Sequence, residues 1–355
     1  MAPSNDTILI TGGTGFVGSH CILQAIQAGF TVQTTIRSLQ RVDDVRQSLR
    51  NGGATEAQIK NVKFYEADLT KDDGWEQACT GCGYVLHVAS PFPASAPKDE
   101  NELIVPAREG TLRALRAAKK VGTVKRIVLT SSVAAVVYGQ DMKPPGQPFT
   151  EEDWTKLDNP KIPVAPYQKS KTIAERAAWD FIEKEGNGME LVVVNPVGIF
   201  GPVLSSDVAT SLELPMMLLN GKLPGIPNFA VNVVDVRDVA DLHLRAMRDP
   251  KAAGQRFIAT SDDKTVTVRD VVNILKENLP AAETKKLPTR GLPDFLIKFA
   301  AIFDGTVALI APELGKLKAI SNAKAKEVLG WQPRSTTEAM LESAASLKKY
   351  GLVKV

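Results

Sequence analysis

The stretch Thr11-Gly-Gly-Thr-Gly-Phe-Val-Gly18 follows an apolar β-branched run, Thr7–Thr11, and leads into a segment of helical spacing, Gly18–Ala28. A glycine-rich turn between a strand and a helix constrains both the fold and the chemistry. Gly12 can make the tight turn. The missing Cβ of Gly15 lets an anion approach the backbone, and Gly18 allows close helix–strand packing. The free N–H groups at the start of such a helix stabilise a pyrophosphate. In this strand–turn–helix setting the pattern predicts a dinucleotide-binding unit. Gly12, Thr14, Gly15, Phe16, Val17 and Gly18 are its expected contacts.

The first two thirds of the chain continue in the same manner. Short β-branched runs alternate with longer stretches of helical spacing, as in βαβ units and parallel sheets. Strands are expected at Thr31–Ile36, Lys63–Tyr65, Tyr84–Val88, Arg126–Ser131 and Glu190–Asn195, and helices at Glu102–Lys120 and Pro166–Lys184. After Pro196 the alternation fades, and residues 196–230 are rich in Pro, Gly, Leu and Met. Val231–Met247 reads as a strand running into a helix. A short strand at Arg256–Ala259, a helix from about Thr267, and helices at Asn322–Leu329 and Thr337–Lys348 complete the chain. The expected fold is α/β: a Rossmann-type doubly wound parallel sheet with a smaller mixed α/β C-terminal substrate lobe. Residues 1–195, joined again by about 231–250, form the first unit; 196–230 and 251–355 form the second.

Composition excludes several classes. With 43 Lys+Arg against 40 Asp+Glu, the formal charge of +3 is no footprint for nucleic acid or an anionic surface. Three cysteines and three histidines make neither a disulfide framework nor an evident metal site. The N-terminal residues lack the pattern of a secretory signal. Phe295–Ala311 is interrupted by Lys298 and Asp304 and is too short to span a bilayer. A soluble cytoplasmic protein, monomeric or homodimeric, acting on a small molecule without nucleic-acid or membrane partners, is the expectation.

The end of the second strand should meet the adenosine ribose. A carboxylate there selects NAD, and an arginine accommodates the extra phosphate of NADP. The chain reads Thr34-Thr35-Ile36-Arg37-Ser38, with no carboxylate. The planar donor fork of Arg37 suits a phosphate, with Ser38 and Arg41 as possible assistants. NADPH/NADP+ is the expected cofactor.

Tyr167-Gln-Lys-Ser-Lys171 lies near the start of a predicted helix. Residues four apart share a face, so Tyr167 and Lys171 point the same way, while Gln168, Ser170 and Thr172 face elsewhere. A free phenol has a pKa near 10, and a neighbouring ammonium lowers it. The unit before this helix ends in Thr130-Ser131-Ser132, at the strand end where open α/β sheets bind ligands. Ser132 is the expected hydrogen-bond donor to a substrate carbonyl. Ser131, by alternation, turns toward the cofactor side or the structure.

The chain resembles the extended short-chain dehydrogenase/reductases, in particular the dihydroflavonol-reductase-like group with its aldehyde and carbonyl reductases. The resemblance rests on GxxGxxG spacing in Thr11–Gly18 and on Thr35–Ser38, His87–Pro91, Leu129–Val133, Pro166–Lys171, Asn195–Pro202, Val233–Ala240 and Ser321–Arg334. It implies hydride transfer from NADPH to a carbonyl, Tyr167 as proton donor, Ser132 on the carbonyl oxygen, and Lys171 tuning Tyr167 and holding the nicotinamide ribose. It also implies cofactor contacts from Asp68 and Leu69 beside the adenine, from Val88, Ala89 and Ser90, from Thr130 and Ser131, and from Pro196, Val197, Gly198 and Ile199. His87 is expected to be a packed strand residue rather than a base.

An apolar substrate wall is expected from Phe92, Val133, Val203 and Leu204, with Pro215, Met216 and the Leu223–Gly225 turn behind. That suits aldehydes, ketones or keto esters, and the Tyr167 surroundings argue against a CoA-thioester specialist. Two alternatives remain: a nucleotide-sugar epimerase or dehydratase on the same fold, and a non-catalytic NADP(H)-binding sensor. The CxxC spacing of Cys79 and Cys82 has no further ligand nearby and is expected to be incidental.

Overall fold

The computed structural model describes residues 6–91, 99–301, 303, 307 and 311–354. Seven parallel strands form one sheet: β1 (Thr7–Thr11), β2 (Thr31–Ile36), β3 (Val62–Glu66), β4 (Tyr84–His87), β5 (Arg126–Thr130), β6 (Glu190–Pro196) and β7 (Arg256–Ala259), in the order β7-β6-β5-β4-β1-β2-β3. The order reverses between β1 and β4, and the crevice at such a switch point is where α/β sheets take ligands.

Alternation along the strands builds a core on each face. Ile8, Ile10, Val128, Val192 and Val194 face one side, against α1 (Phe16–Gln27) and the helix Val236–Arg248. Leu9, Val85, Ile127, Leu129, Leu191 and Val193 face the other, against α2 (Asn101–Val121) and α3 (Pro166–Glu185). Strands buried on both faces read as near-continuous apolar runs, which is why Ile-Val-Leu and Leu-Val-Val-Val stand out in the sequence.

One boundary differs from expectation. Arg256–Ala259 is not part of the later lobe. It pairs in parallel with β6 from Arg256↔Val193 to Ala259↔Pro196 and closes the main sheet. The helix Ala323–Leu329 and Trp331 pack into the core on the α1 face. A four-residue strand carries too little pattern to announce its partner, and here the second half of β6 supplies an otherwise open edge.

The smaller lobe has its own core of Phe200, Val203, Leu212, Leu218, Val271, Leu275, Met340 and Leu347. Two serines of the last helix, Thr336–Lys349, bind the chain that leaves the sheet: the Gly201 N–H donates to Ser343 Oγ at 2.7 Å and the Val203 N–H to Ser346 Oγ at 3.0 Å. From the other side, His20 Nε2 bonds the Pro202 carbonyl at 2.9 Å, and Asn51 Nδ2 donates to the Leu204 carbonyl at 2.8 Å. No helix among the described residues is long and apolar enough to cross a membrane.

All three histidines, His20, His87 and His243, are buried, and burial lowers each to about 4. The unfolded chain, with ordinary imidazoles near 6.5, therefore takes up protons first as pH falls. Stability should decline from about pH 6.5 to about pH 4, by on the order of 3 kcal/mol per histidine at the acid end. Asp238, raised to about 6 by burial, works in the opposite direction over most of that window, from about pH 6 downward. Thermal unfolding followed from pH 7 to 4 should show a net fall in Tm, shallower in His243→Gln; a flat profile would contradict it.

Candidate functional site

The glycine turn is held to the sheet by its own backbone. The Gly12 and Gly13 N–H groups donate to the Thr35 carbonyl at 3.1 and 3.0 Å. Gly12 has φ +75°, the left-handed region that favours glycine. A Cβ on Gly18 would lie 2.2 Å from the Gly12 carbonyl oxygen, and one on Gly13 would lie 2.4 Å from Thr34 Oγ1. Those two glycines serve close packing, and sequence reading had assigned nothing to Gly13. A Cβ on Gly15 would meet only the Gly12 oxygen, at 3.2 Å. Gly15 is also the N-cap of α1, with no side chain capping the helix and no acidic residue in its first turn. The N-terminal N–H groups are thus left for an anion. This cradle fits a dinucleotide pyrophosphate.

The cradle opens into a cleft of about 1030 Å³ lying along the strand ends. Its lining includes Gly12, Thr14, Gly15, Phe16, Val17, Gly18, Arg37, Asp68, Leu69, Val88, Ala89, Ser90, Thr130, Val197, Gly198 and Ile199, all expected from the sequence. Thr11 fixes one wall: its Oγ1 accepts from the Val88 and Ala89 N–H groups at 3.0 and 2.9 Å and bonds His87 Nδ1 at 3.0 Å. His87 itself is buried edge-on to Trp75 and does not reach the cleft. Asp68 is held below the usual carboxylate range by the N–H and hydroxyl of Thr70, with a smaller contribution from Arg37.

Ser132 and Tyr167 meet at the far end of the cleft. The Ser132 hydroxyl bonds the Tyr167 phenol. It also accepts from the Ala134 N–H at 3.1 Å, so it doubles as cap of the turn that follows β5. Burial pushes the phenol above its ordinary value and the bond from Ser132 pulls it back. The expected lowering by an adjacent ammonium is not what dominates here. Lys171 lies one layer behind the cleft wall, beside a cavity of about 20 Å³ that also touches Ser90, Thr130, Ser131 and Glu175. Its Nζ donates to Ser90 Oγ at 2.9 Å and sits 6.0 Å from the Tyr167 ring centroid. Burial lowers Lys171 to about 8, against the pull of Glu175.

Several expected contacts fall elsewhere. Ser131 turns away from the cleft and donates to Glu175 Oε2 at 2.5 Å. Pro196 is buried at the end of β6 and offers its carbonyl to Ser132 at 3.5 Å rather than lining the cleft. Val203 and Leu204 do not form the expected substrate wall: both are buried in cores because the serine and asparagine bonds above draw them there, and neither lines the cleft. Pro215, Met216 and Leu223 likewise belong to the small lobe's core. Val133 does line the cleft, and Phe92 lies outside the described residues. The structure adds Ala134, Tyr138, Gln168, Val208, Ala209 and Ser211. Gln168 was expected to face away, but at the first turn of α3 it reaches the same cleft as Tyr167, against the Tyr138 phenol. No sequence signal marked residues 208–211, whose position depends on the small lobe.

Cys79 and Cys82 are free and buried, and burial raises their thiols to about 12 and about 11, the reverse of a reactive thiolate. Among the described residues no group of three or more His, Cys, Asp or Glu could hold a metal ion.

Residues 8–259 match the model of the NAD dependent epimerase/dehydratase family. A putative NADPH-dependent methylglyoxal reductase of Candida albicans is 34% identical over 296 residues, covering 79% of this chain and 85% of the relative. A dihydroflavonol 4-reductase of Zea mays is 33% identical over 283 residues, covering 79% and 76%. The crystal structure of yeast methylglyoxal/isovaleraldehyde reductase Gre2, complexed with NADPH, superposes with a TM-score of 0.78 at 28% identity, covering 98% of this chain and all of that one.

The support beneath Lys171 can be tested directly. Glu175 accepts from Arg256 Nε at 2.6 Å, and both side chains are buried. Glu175→Gln leaves the guanidinium without its charge partner, so a loss of roughly 3 kcal/mol or more is expected in urea unfolding. A midpoint within error of wild type would show that the pair is not needed.

Proposed function

The chain belongs to the NAD dependent epimerase/dehydratase family, and from that membership we propose that it is an NADPH-dependent reductase that converts the carbonyl of an aldehyde, ketone or keto ester to an alcohol. One observation carries the reading. Ser132 and Tyr167 are joined at one end of a cleft whose other end holds an uncapped helix N-terminus and Arg37, with no carboxylate at the β2 terminus. NADPH, when bound, supplies the hydride. The α1 N-terminus and Gly15 hold its pyrophosphate, and Arg37 holds the 2′-phosphate. Val197, Gly198 and Ile199 present backbone to the nicotinamide end. Ser132 orients the substrate carbonyl oxygen, and Tyr167 delivers a proton to it as charge develops. Lys171 stands behind Tyr167 as the charge that favours its ionised form after transfer.

Substrate class follows from the wall beside Ser132. Val133 and Ala134 are apolar, which favours alkyl or aromatic carbonyls over sugar diphosphates. The names of the reductases above are in keeping with this choice.

Tyr167→Phe should bind NADPH with near-unchanged affinity while turnover falls by about 100-fold or more, the scale of a lost general acid. Stopped-flow NADPH oxidation against a panel of aldehydes, ketones and keto esters, with sugar nucleotides as controls, reads both quantities. Near-wild-type turnover would remove Tyr167 from the chemistry. Arg37→Ala should erode the preference for NADPH over NADH by roughly 10-fold or more, as expected for loss of a charge-assisted bond; an unchanged ratio would rule out the assigned phosphate contact. Because Lys171 is lowered to about 8, its charge is lost as pH rises through that value. Reduction at saturating substrate should therefore weaken above about pH 8, and Lys171→Arg should shift that limb upward even if its maximum is lower. A limb that stays in place would assign it to another group.

A further inference from the structure

The adenosine end of the cleft is crossed by an ion pair that the reductase reading leaves unused. Arg41 Nη2 donates to Asp207 Oδ2 at 2.8 Å, and Arg41 Nε donates to Asp44 Oδ2 at 3.0 Å. Asp44 is a neighbour on Arg41's own helical stretch, three residues on. Asp207 comes from the opposite wall, in the segment that leads from the strand Gly198–Phe200 to Val208–Ser211. Arg37, Arg41 and Asp207 all line the one cleft. A single guanidinium therefore joins the two walls beside the place where a 2′-phosphate would sit.

We propose that Asp207 is a cofactor-discriminating residue, which holds Arg41 across the cleft and competes for it with the 2′-phosphate of the incoming dinucleotide. This rests on the NADPH reading above. One positive charge here already faces two carboxylates. A phosphate monoester brings between one and two further negative charges at neutral pH. It gains Arg37, but it meets Asp44 and Asp207 unless Arg41 releases one of them. Asp44 is tied by its position in the chain, so Asp207 is the one displaced. A ribose 2′-hydroxyl brings no charge and makes no such demand, so the clasp stays closed over an unphosphorylated nucleotide. Asp207 thus subtracts affinity from 2′-phosphorylated ligands alone. The side chains of Arg41 and Asp207 are 39% and 53% exposed, so the effect is screened, modest and salt-dependent.

The test uses the full chain and two nucleotide fragments, adenosine 2′,5′-bisphosphate and 5′-AMP, titrated calorimetrically into wild type and Asp207→Asn. At about 50 mM salt, Asp207→Asn should bind the bisphosphate roughly 3- to 10-fold more tightly, with 5′-AMP unchanged. The gain should shrink sharply by about 500 mM salt, where the screening length is only a few ångströms. In an Arg41→Ala background most of the gain should vanish. Unchanged or weaker bisphosphate binding overturns the proposal. So does an equal shift for both nucleotides, or a full-sized gain without Arg41. A wild-type protein that binds 5′-AMP as tightly as the bisphosphate would instead remove the NADPH reading itself, and that result appears before any variant is made.

Discussion

The arrangement of the site depends on one buried charge. Glu175 lies on α3 one turn beyond Lys171 and two beyond Tyr167, on the same helical face. Its carboxylate takes Arg256 Nε from β7 at 2.6 Å, Asn195 Nδ2 from β6 at 2.8 Å, and the Ser131 hydroxyl at the end of β5 at 2.5 Å. Arg256 in turn donates to the carbonyls of Glu151 and Asp153 at 2.7 and 2.9 Å, and its guanidinium lies 3.8 Å from the Trp154 ring centroid. Three strand ends and a long loop are thereby referred to one point on α3. A buried ion pair is costly unless its remaining donors and acceptors are met; here both Glu175 oxygens are met, while Arg256 Nη2 is left without a hydrogen-bond partner. These bonds tie α3 to β5, β6 and β7. Position along α3 is what brings the Tyr167 phenol to Ser132, so on the reductase reading the polar anchor positions the two residues without touching a reactant.

The second constraint is the attachment of the small lobe. Beyond the Asn195–Pro202 motif nothing in the sequence up to Leu212 has a strong pattern, yet Asp207 to Ser211 line the cleft. The path of this segment is set by groups far away in the chain: His20 and Asn51 from the first lobe, Ser343 and Ser346 from the last helix. Those bonds pull Val203 and Leu204 into cores and leave Asp207 to Ser211 facing the cavity. This wall of the cleft is in this sense a by-product of how two cores are joined.

The same contrast explains what could be read in advance. Elements whose residues answer to near neighbours were legible: the strand–turn–helix at Thr7–Gln27, the double-sided apolar runs of β5 and β6, and the fourfold spacing of Tyr167 and Lys171. The place of Arg37 on the cleft was legible because a strand end is a fixed place in this fold. Long-range pairings were not. The four residues of β7 carry no mark of their partner, so their membership of the main sheet was misassigned. Ser131 was legible only in direction, since its partner Glu175 lies on another element. Gln168 was placed wrongly by ideal helical spacing, because it sits in the first turn of α3, where the axis alone does not decide which residues reach a neighbouring cleft. Gly13 was passed over because its need for a missing Cβ comes from Thr34 on the next strand.

Burial acts on Tyr167 and Lys171 in opposite senses. It raises Tyr167 and lowers Lys171, and in each case the uncharged form gains. An uncharged tyrosine is one that carries its proton, the state a donor to a carbonyl oxygen must have before transfer. The reverse reaction, oxidation of an alcohol, would ask the same group to begin as phenolate, and desolvation opposes that. Glu175 pulls Lys171 back toward its charged form, so an ammonium remains near the phenol across the neutral range and can stabilise the anion that proton transfer leaves. The carboxylate that ties α3 to the sheet therefore also favours the charged form of Lys171. On the reductase reading, the shift that keeps the Tyr167 phenol protonated suits it to donate a proton, with the Glu175 carboxylate behind Lys171 favouring the ammonium.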